Sequence, residues 1–215
     1  MGEGDALRCG MWCCGAGCAG RCGWTRWHWP RACARRCGRR GGGCAGGWPD
    51  LRATRAAEPA GLPVCAVLGA AAAAAPAGFA GLVAGLRDGA AGLRWGQTYG
   101  ASDFGADFLR GYGWTELIGL RGPIASDDVA VGFLLLGPGL DYPAHAHEAE
   151  EVYLPLSGTA LWQRGEAGFA PVAPGVVIRH PSWMPHAMRT GGEALVAAYV
   201  WRGGDLAAKS RILAG

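Results

Sequence analysis

Short apolar runs at strand spacing dominate the chain from Asp127 onward. The segments predicted as strands are 129–136, 151–156, 159–164, 176–179, 187–189 and 195–201. Gly137-Pro138-Gly139, Ser157-Gly158, Gly165, Pro174-Gly175 and Gly191-Gly192 punctuate them. Many short strands with Gly or Pro at each corner predict an all-β sandwich or barrel. The Gly191-Gly192 pair predicts a hairpin between its flanking strands. Residues 61–125 read as partly helical: Ala and Leu are frequent between Val64 and Leu93, although glycines interrupt. A second helix is expected to start at Ser102, whose hydroxyl can cap Phe104 and Gly105, and to run through Phe108 towards Gly111. Residues 1–60 show no sustained period, and no structure is assigned to them.

Composition changes the picture at the N-terminus. Residues 1–55 carry a surplus of +7 and residues 56–215 a balance of −4. The N-terminal Arg residues lie in Gly/Cys/Trp-rich sequence without an amphipathic period, so no nucleic-acid partner is expected. All nine cysteines lie between Cys9 and Cys65, without the CxxC spacing of a zinc finger or an apolar stretch typical of an export signal. Residues 1–60 are therefore read as a low-complexity extension without fixed structure, or as translation from upstream of the true start. Nineteen Arg against one Lys fits the G+C-rich gene that the second reading requires. The longest uncharged apolar stretch, 59–86, is mostly Ala and Gly and is broken by Pro63 and Pro76, which makes a poor membrane span. The protein is expected to be cytoplasmic, without a membrane partner.

The candidate chemistry is concentrated between Gly139 and Gly158. His145 and His147 are two residues apart, so on an extended strand both imidazoles project from one face. Glu151 follows beyond a short turn, where its strand can return to that face. Two imidazoles and a carboxylate suit one divalent transition metal ion (Zn, Fe, Mn, Ni or Co), with positions left open for a substrate.

The spacing of Gly139, His145, His147, Glu151 and Gly158 resembles the first cupin motif, G-x5-H-x-H-x3-E-x6-G. Gly175, Pro181 and His186 resemble the second, with Trp183 in place of the middle glycine and Thr190 in place of the usual Asn. This resemblance implies a mainly β protein: a single cupin (jelly-roll, double-stranded β-helix) barrel over 126–215, preceded by a helical segment over 61–125 that packs on it. It puts His186 in the fourth ligand position. His180 competes for that position, but it falls just before Pro181, outside the motif's ligand slot, and a rim or supporting role suits it better. Cupins commonly pair through barrel edges, so a homodimer is the expected assembly.

Tyr142, three residues before His145, and Tyr153, two after Glu151, narrow the resemblance. The pattern Tyr-x2-His-x-His-x3-Glu-x-Tyr is similar to that of the cupin-type dimethylsulfoniopropionate lyases, the family called DddL in particular. The likeness runs from about Trp95 to the C-terminus and includes Gly132–Gly139, Pro155–Trp162, Pro185–Thr190 and Trp201–Leu206. It implies cleavage of that small-molecule substrate to dimethyl sulfide and acrylate. Tyr153 is the candidate base, with Tyr142 as the alternative or as a positioning partner. Trp162, Trp183 and Phe133 are candidate walls for the sulfonium cation. The same donors also serve cupin dioxygenases and isomerases and non-catalytic sensor or storage cupins, and the barrel alone does not choose among them.

Overall fold

Strand period governs the chain from Tyr112 onward, earlier than the sequence pattern indicates. The computed structural model describes residues 55–213, so the expectations for residues 1–54 lie outside the described residues. The helical part comprises a 3-10 turn, Pro63–Val67, then α1 (Leu68–Ala74) and α2 (Ala77–Gly89). Pro76 separates the two helices. Ala75 before it is extended, as a residue preceding proline prefers, and Pro76 itself sits at the N-cap of α2. The next helix, α3 (Ala106–Gly111), starts later than expected and is not capped by Ser102. Instead, the Asp103 amide donates to Gly100 O and the Gly100 amide to Asp103 Oδ2, each at 2.9 Å, which closes residues 100–103 into a turn ahead of the helix.

Twelve strands follow or interleave: β1 (Trp95–Gly96), β2 (Tyr112–Gly119), β3 (Ile124–Ala125), β4 (Val129–Leu136), β5 (Asp141–Ala146), β6 (Glu150–Ser157), β7 (Ala160–Arg164), β8 (Ala170–Val172), β9 (Ile178–His180), β10 (His186–Thr190), β11 (Leu195–Arg202) and β12 (Arg211–Ile212). The larger sheet has the order β1-β2-β4-β11-β6-β9, with β3 parallel to β2; the smaller has β12-β5-β10-β7-β8. Two facing, mainly antiparallel sheets that exchange consecutive strands make the jelly-roll barrel of a cupin. Among the described residues no helix is long and apolar enough to cross a membrane.

β2 escapes the sequence pattern for a physical reason. Its buried positions include Thr115 and Glu116, and Gly113 leaves no side chain where Leu62 and Val64 close in to within 3 Å of a notional Cβ. The Gly191-Gly192 hairpin does not form. β10 pairs with β5 and β7, while β11 pairs with β4 and β6, so these glycines carry the chain from one sheet to the other. Neither has the positive φ that a tight two-residue hairpin requires.

The two faces of β4 separate the core into layers. Ala130, Leu134 and Leu136 join the cluster inside the barrel, whereas Phe133 and Leu135 point outward into a second cluster with Val64, Leu68 and Val83 from the helical segment. The Ser157 hydroxyl on β6 donates to Ala71 O at 2.7 Å and pins α1 to the barrel wall.

The motif positions gain backbone explanations. Gly158 has φ +81°, and a Cβ there would lie 2.0 Å from Ala194 O, so only glycine fits. Trp183, at the position where the second cupin motif has glycine, adopts φ +60°. It holds this left-handed conformation with its amide donating to His147 O at 2.8 Å and the Arg211 guanidinium 4.6 Å from its ring centre.

Candidate active site

The site lies between the sheets because the register of both converges there. Across the smaller sheet His145 on β5 stands opposite His186 on β10. Across the larger one Glu151 on β6 is flanked by Trp201 on β11 and His180 on β9. His147 follows directly after β5. His145, His147, Glu151, His180 and His186 are all buried, and Trp201 is half-buried.

Three histidines share one local arrangement. The Nδ1 of His145 lies 2.9 Å from Pro143 O, that of His147 2.8 Å from Ala149 O, and that of His186 2.9 Å from Met184 O. A carbonyl oxygen only accepts, so each Nδ1 carries the proton and each neutral ring turns an Nε2 lone pair inward. Glu151 Oε2 lies 3.1 Å from His147 Nε2 and 3.2 Å from His186 Nε2. Lone pairs facing a buried carboxylate this closely need a cation or a proton between them. Protons on all three rings would repel one another, with centroids only 4.1 to 6.2 Å apart. Burial, then the neighbouring His186, holds the His145 pKa well below the usual imidazole value. Burial opposes ionisation of Glu151, but hydrogen bonds from His147, His180 and His186 outweigh it and hold its pKa well below the usual carboxylate range, the case in which a proton sits on an Nε2 facing it. One donor nitrogen from each of His145, His147 and His186 lies within 4.8 Å of the others. This buried His/Glu cluster is compatible with a divalent metal site, and His186 Nε2 has no hydrogen-bond partner within the protein.

Beside the cluster is a cavity of about 270 Å³ lined by Tyr112, Trp114, Tyr142, Tyr153, Tyr199 and Trp201 together with His145, Glu151, Arg121 and Lys209. Its size suits a small ligand rather than a drug-sized one. All five tyrosines of the chain are buried in or against it. Tyr142 stacks on His145 with 4.3 Å between centroids, and its hydroxyl lies 3.4 Å from that of Tyr99. Burial, then the Glu151 charge, raises the Tyr153 pKa well above the usual phenol value; burial and the surrounding tyrosines do the same for Tyr142.

A match to known sequences follows from these residues. The profile of the dimethylsulfoniopropionate lyase family matches residues 50–197. The chain belongs to this family. It is 40% identical to the dimethylsulfoniopropionate lyase DddQ of Ruegeria pomeroyi over 51% of this chain and 55% of that protein. It is 33% identical to a Cereibacter sphaeroides protein carrying the lyase name DddL, over 53% of this chain and 47% of that one. The alignments thus span about half the length of these curated relatives. The crystal structure of DddQ from Ruegeria pomeroyi superposes with a TM-score of 0.70 at 32% identity, covering 76% of this chain and 82% of that one.

Against that family background, the barrel brings together His145, His147, Glu151, His186, Tyr142 and Tyr153. The three expected sulfonium walls are not where the sequence pattern suggested. Phe133 points out of the barrel into the helix-facing cluster, because β4 alternates and its inward positions are Ala130, Leu134 and Leu136. Trp183 is 45% exposed and does not line the cavity, because its left-handed backbone turns it towards Arg211 at the surface. Trp162 is buried, 5.1 Å from the Tyr153 ring, but lies behind it rather than on the cavity wall. His180 is not a rim residue: it is wholly buried and stacks on His186.

Trp201 escaped the sequence reading. Its Nε1 donates to Glu151 Oε1, and its ring stacks on His147 at 4.1 Å. The period of β11 could have revealed it, since Tyr199 and Trp201 share a face. Tyr99 and Tyr112 reach the site through β1, β2 and the turn between them, and no local pattern marks them.

Proposed function

We propose that this chain is a metal-dependent carbon–sulfur lyase that eliminates dimethyl sulfide from dimethylsulfoniopropionate and leaves acrylate. The observation that carries this reading is the pair of buried tyrosines, Tyr142 and Tyr153, on one cavity wall with the His/Glu donor cluster. Membership of a family whose named relatives are lyases of this substrate supports it. His145, His147, Glu151 and His186 would hold one divalent ion. The donors are borderline and do not select among Zn, Fe, Mn, Ni and Co. When bound, that ion supplies a Lewis acid for the substrate carboxylate and the positive charge that lets a neighbouring phenol ionise near neutral pH.

In the elimination, the Tyr153 oxygen takes the proton α to the carboxylate and the C–H electrons form the C=C bond of acrylate. The C–S bond breaks with both electrons on sulfur, so a neutral thioether leaves and the proton returns from tyrosine to solvent. Tyr153 is the better base because it neighbours Glu151, whereas Tyr142 is stacked on the His145 ring and linked to Tyr99, which suits positioning. Tyr112, Trp114, Tyr199 and Trp201 line the cavity with aromatic rings that suit a sulfonium cation, a cation–π contact contributing about 0.5–2 kcal/mol. Trp201 fixes the Glu151 carboxylate through its indole N–H.

The test compares wild-type, Tyr153→Phe and Tyr142→Phe proteins for release of dimethyl sulfide and acrylate in equal amounts. Tyr153→Phe is expected to lower kcat by about 10²–10⁴-fold, the usual contribution of a general base, with metal content unchanged. Full activity in Tyr153→Phe refutes its role, and a wild-type protein loaded with metal that releases no sulfide refutes the activity.

A further inference from the structure

We propose that His180 is a fifth metal-directed donor, so that Glu151, His180 and His186 form a second triad sharing His186 with the first. The proposal rests on the metal-centre reading above and extends it to a residue outside the motif pattern. His180 is wholly buried, and neither ring nitrogen has a hydrogen-bond partner. Burying an unpartnered imidazole is costly, so such a group calls for a specific ligand. Among the described residues the other three histidines each have Nδ1 anchored on a carbonyl; His180 has no such anchor, so either of its nitrogens can carry the lone pair that faces an ion.

Its placement is equally specific. The β6–β9 register sets His180 directly opposite Glu151, and its Nδ1 lies 3.7 Å from Glu151 Oε2. Its ring is nearly parallel to that of His186, at 9° and 4.0 Å. Donor atoms of Glu151, His180 and His186 lie within 4.8 Å of one another, as do those of the His145/His147/His186 group. Metal–nitrogen and metal–oxygen bonds of about 2.0–2.2 Å let one ion engage three donors so spaced once the His180 or His186 ring rotates out of the parallel stack, because stacked rings hold their in-plane lone pairs side by side. The ion therefore has two neighbouring positions, one towards His145 and His147 and one towards His180, with Glu151 and His186 serving both. Its class is a borderline divalent ion such as Co²⁺ or Zn²⁺.

The test is a Co²⁺ titration of the full chain, followed by the visible d–d bands. It covers wild type, His147→Ala, His180→Gln and the double variant, with folding checked by circular dichroism. His147→Ala is expected to retain one equivalent of Co²⁺ on the second triad. Adding His180→Gln should weaken that binding by about tenfold or more. His180→Gln alone should change the intensity or position of the bands, because a donor is lost. Equal affinity and identical spectra for His147→Ala and the double variant overturn the proposal. Should the double variant not fold, unchanged bands in His180→Gln alone overturn it and altered bands support it. Wild-type protein that takes up no Co²⁺ overturns the metal-centre reading itself, and this proposal with it.

Discussion

Thr190 stands where the second cupin motif has Asn, and the structure gives it a job whose loss can be sized. Its hydroxyl donates to Gly137 O at 2.6 Å and accepts from the Leu140 amide at 2.8 Å, fastening the turn from which β5 carries Tyr142 and His145 into the site. Thr190→Val keeps the shape and removes both bonds, so one buried carbonyl and one buried N–H lose their partner. Each such loss costs about 1–3 kcal/mol, and the added methyl recovers roughly 0.8 kcal/mol of burial. The net is a destabilisation of about 1–5 kcal/mol. For a domain of this size that lowers Tm by about 2–20 °C, at roughly 2–4 °C per kcal/mol. Thr190→Ser keeps the hydroxyl and loses one methyl, so it should fall by clearly less. Differential scanning calorimetry on the three proteins tests the order wild type, Ser, Val. A Val variant as stable as wild type, or less destabilised than Ser, would refute the reasoning.

Further outcomes follow from the same geometry. Trp183→Gly relieves a left-handed conformation costing about 1–2 kcal/mol and gives up an Arg211 contact of about 0.5–1 kcal/mol. Its Tm should therefore match or exceed wild type, while Trp183→Ala, which keeps the strain, should fall below it. In chelator-treated protein, stability should decline on acidification from about pH 6.5. The unfolded chain binds protons there that buried His145 does not, and Glu151 adds to the loss near its unfolded pKa. The tyrosines behave oppositely: burial raises the pKa of Tyr142, Tyr153 and Tyr199, so stability present below about pH 10 is lost above it. Tyrosinate absorbance in a pH titration should therefore appear together with the loss of circular dichroism rather than before it. Removal of residues 1–54, ahead of Arg55 whose amide donates to Pro123 O at 2.7 Å, should leave turnover within about twofold, because most of the family match and the entire site lie downstream. A folded, metal-binding but inactive truncation would contradict that.

The legible part of the site was the part set by local spacing. His145, His147 and Glu151 are bound to one another by two and four residues of chain, and the glycines at 139 and 158 mark the backbone turns that bracket them. The β4 and β11 strands were equally plain because uninterrupted apolar runs between turn residues name them. What the pattern could not carry was which face of a strand looks inward when both are buried. Phe133 and Leu134 are equally apolar, and only the helices over the outer face send Phe133 out and Leu134 in. Tyr112 and Trp201 were hidden for a different reason: each reaches the site by pairing across long sequence separation. β2 was missed because a buried Glu116, whose carboxylate accepts from the Gly122 amide at 3.0 Å, reads as a surface residue.

The most direct test of the central claim is lyase rate against bound divalent metal in one preparation. Protein stripped by chelator and reloaded stepwise should release dimethyl sulfide from dimethylsulfoniopropionate in proportion to bound ion, saturating at one ion per chain. Full dimethyl sulfide release from stripped protein, or none from fully reloaded protein, would contradict the account.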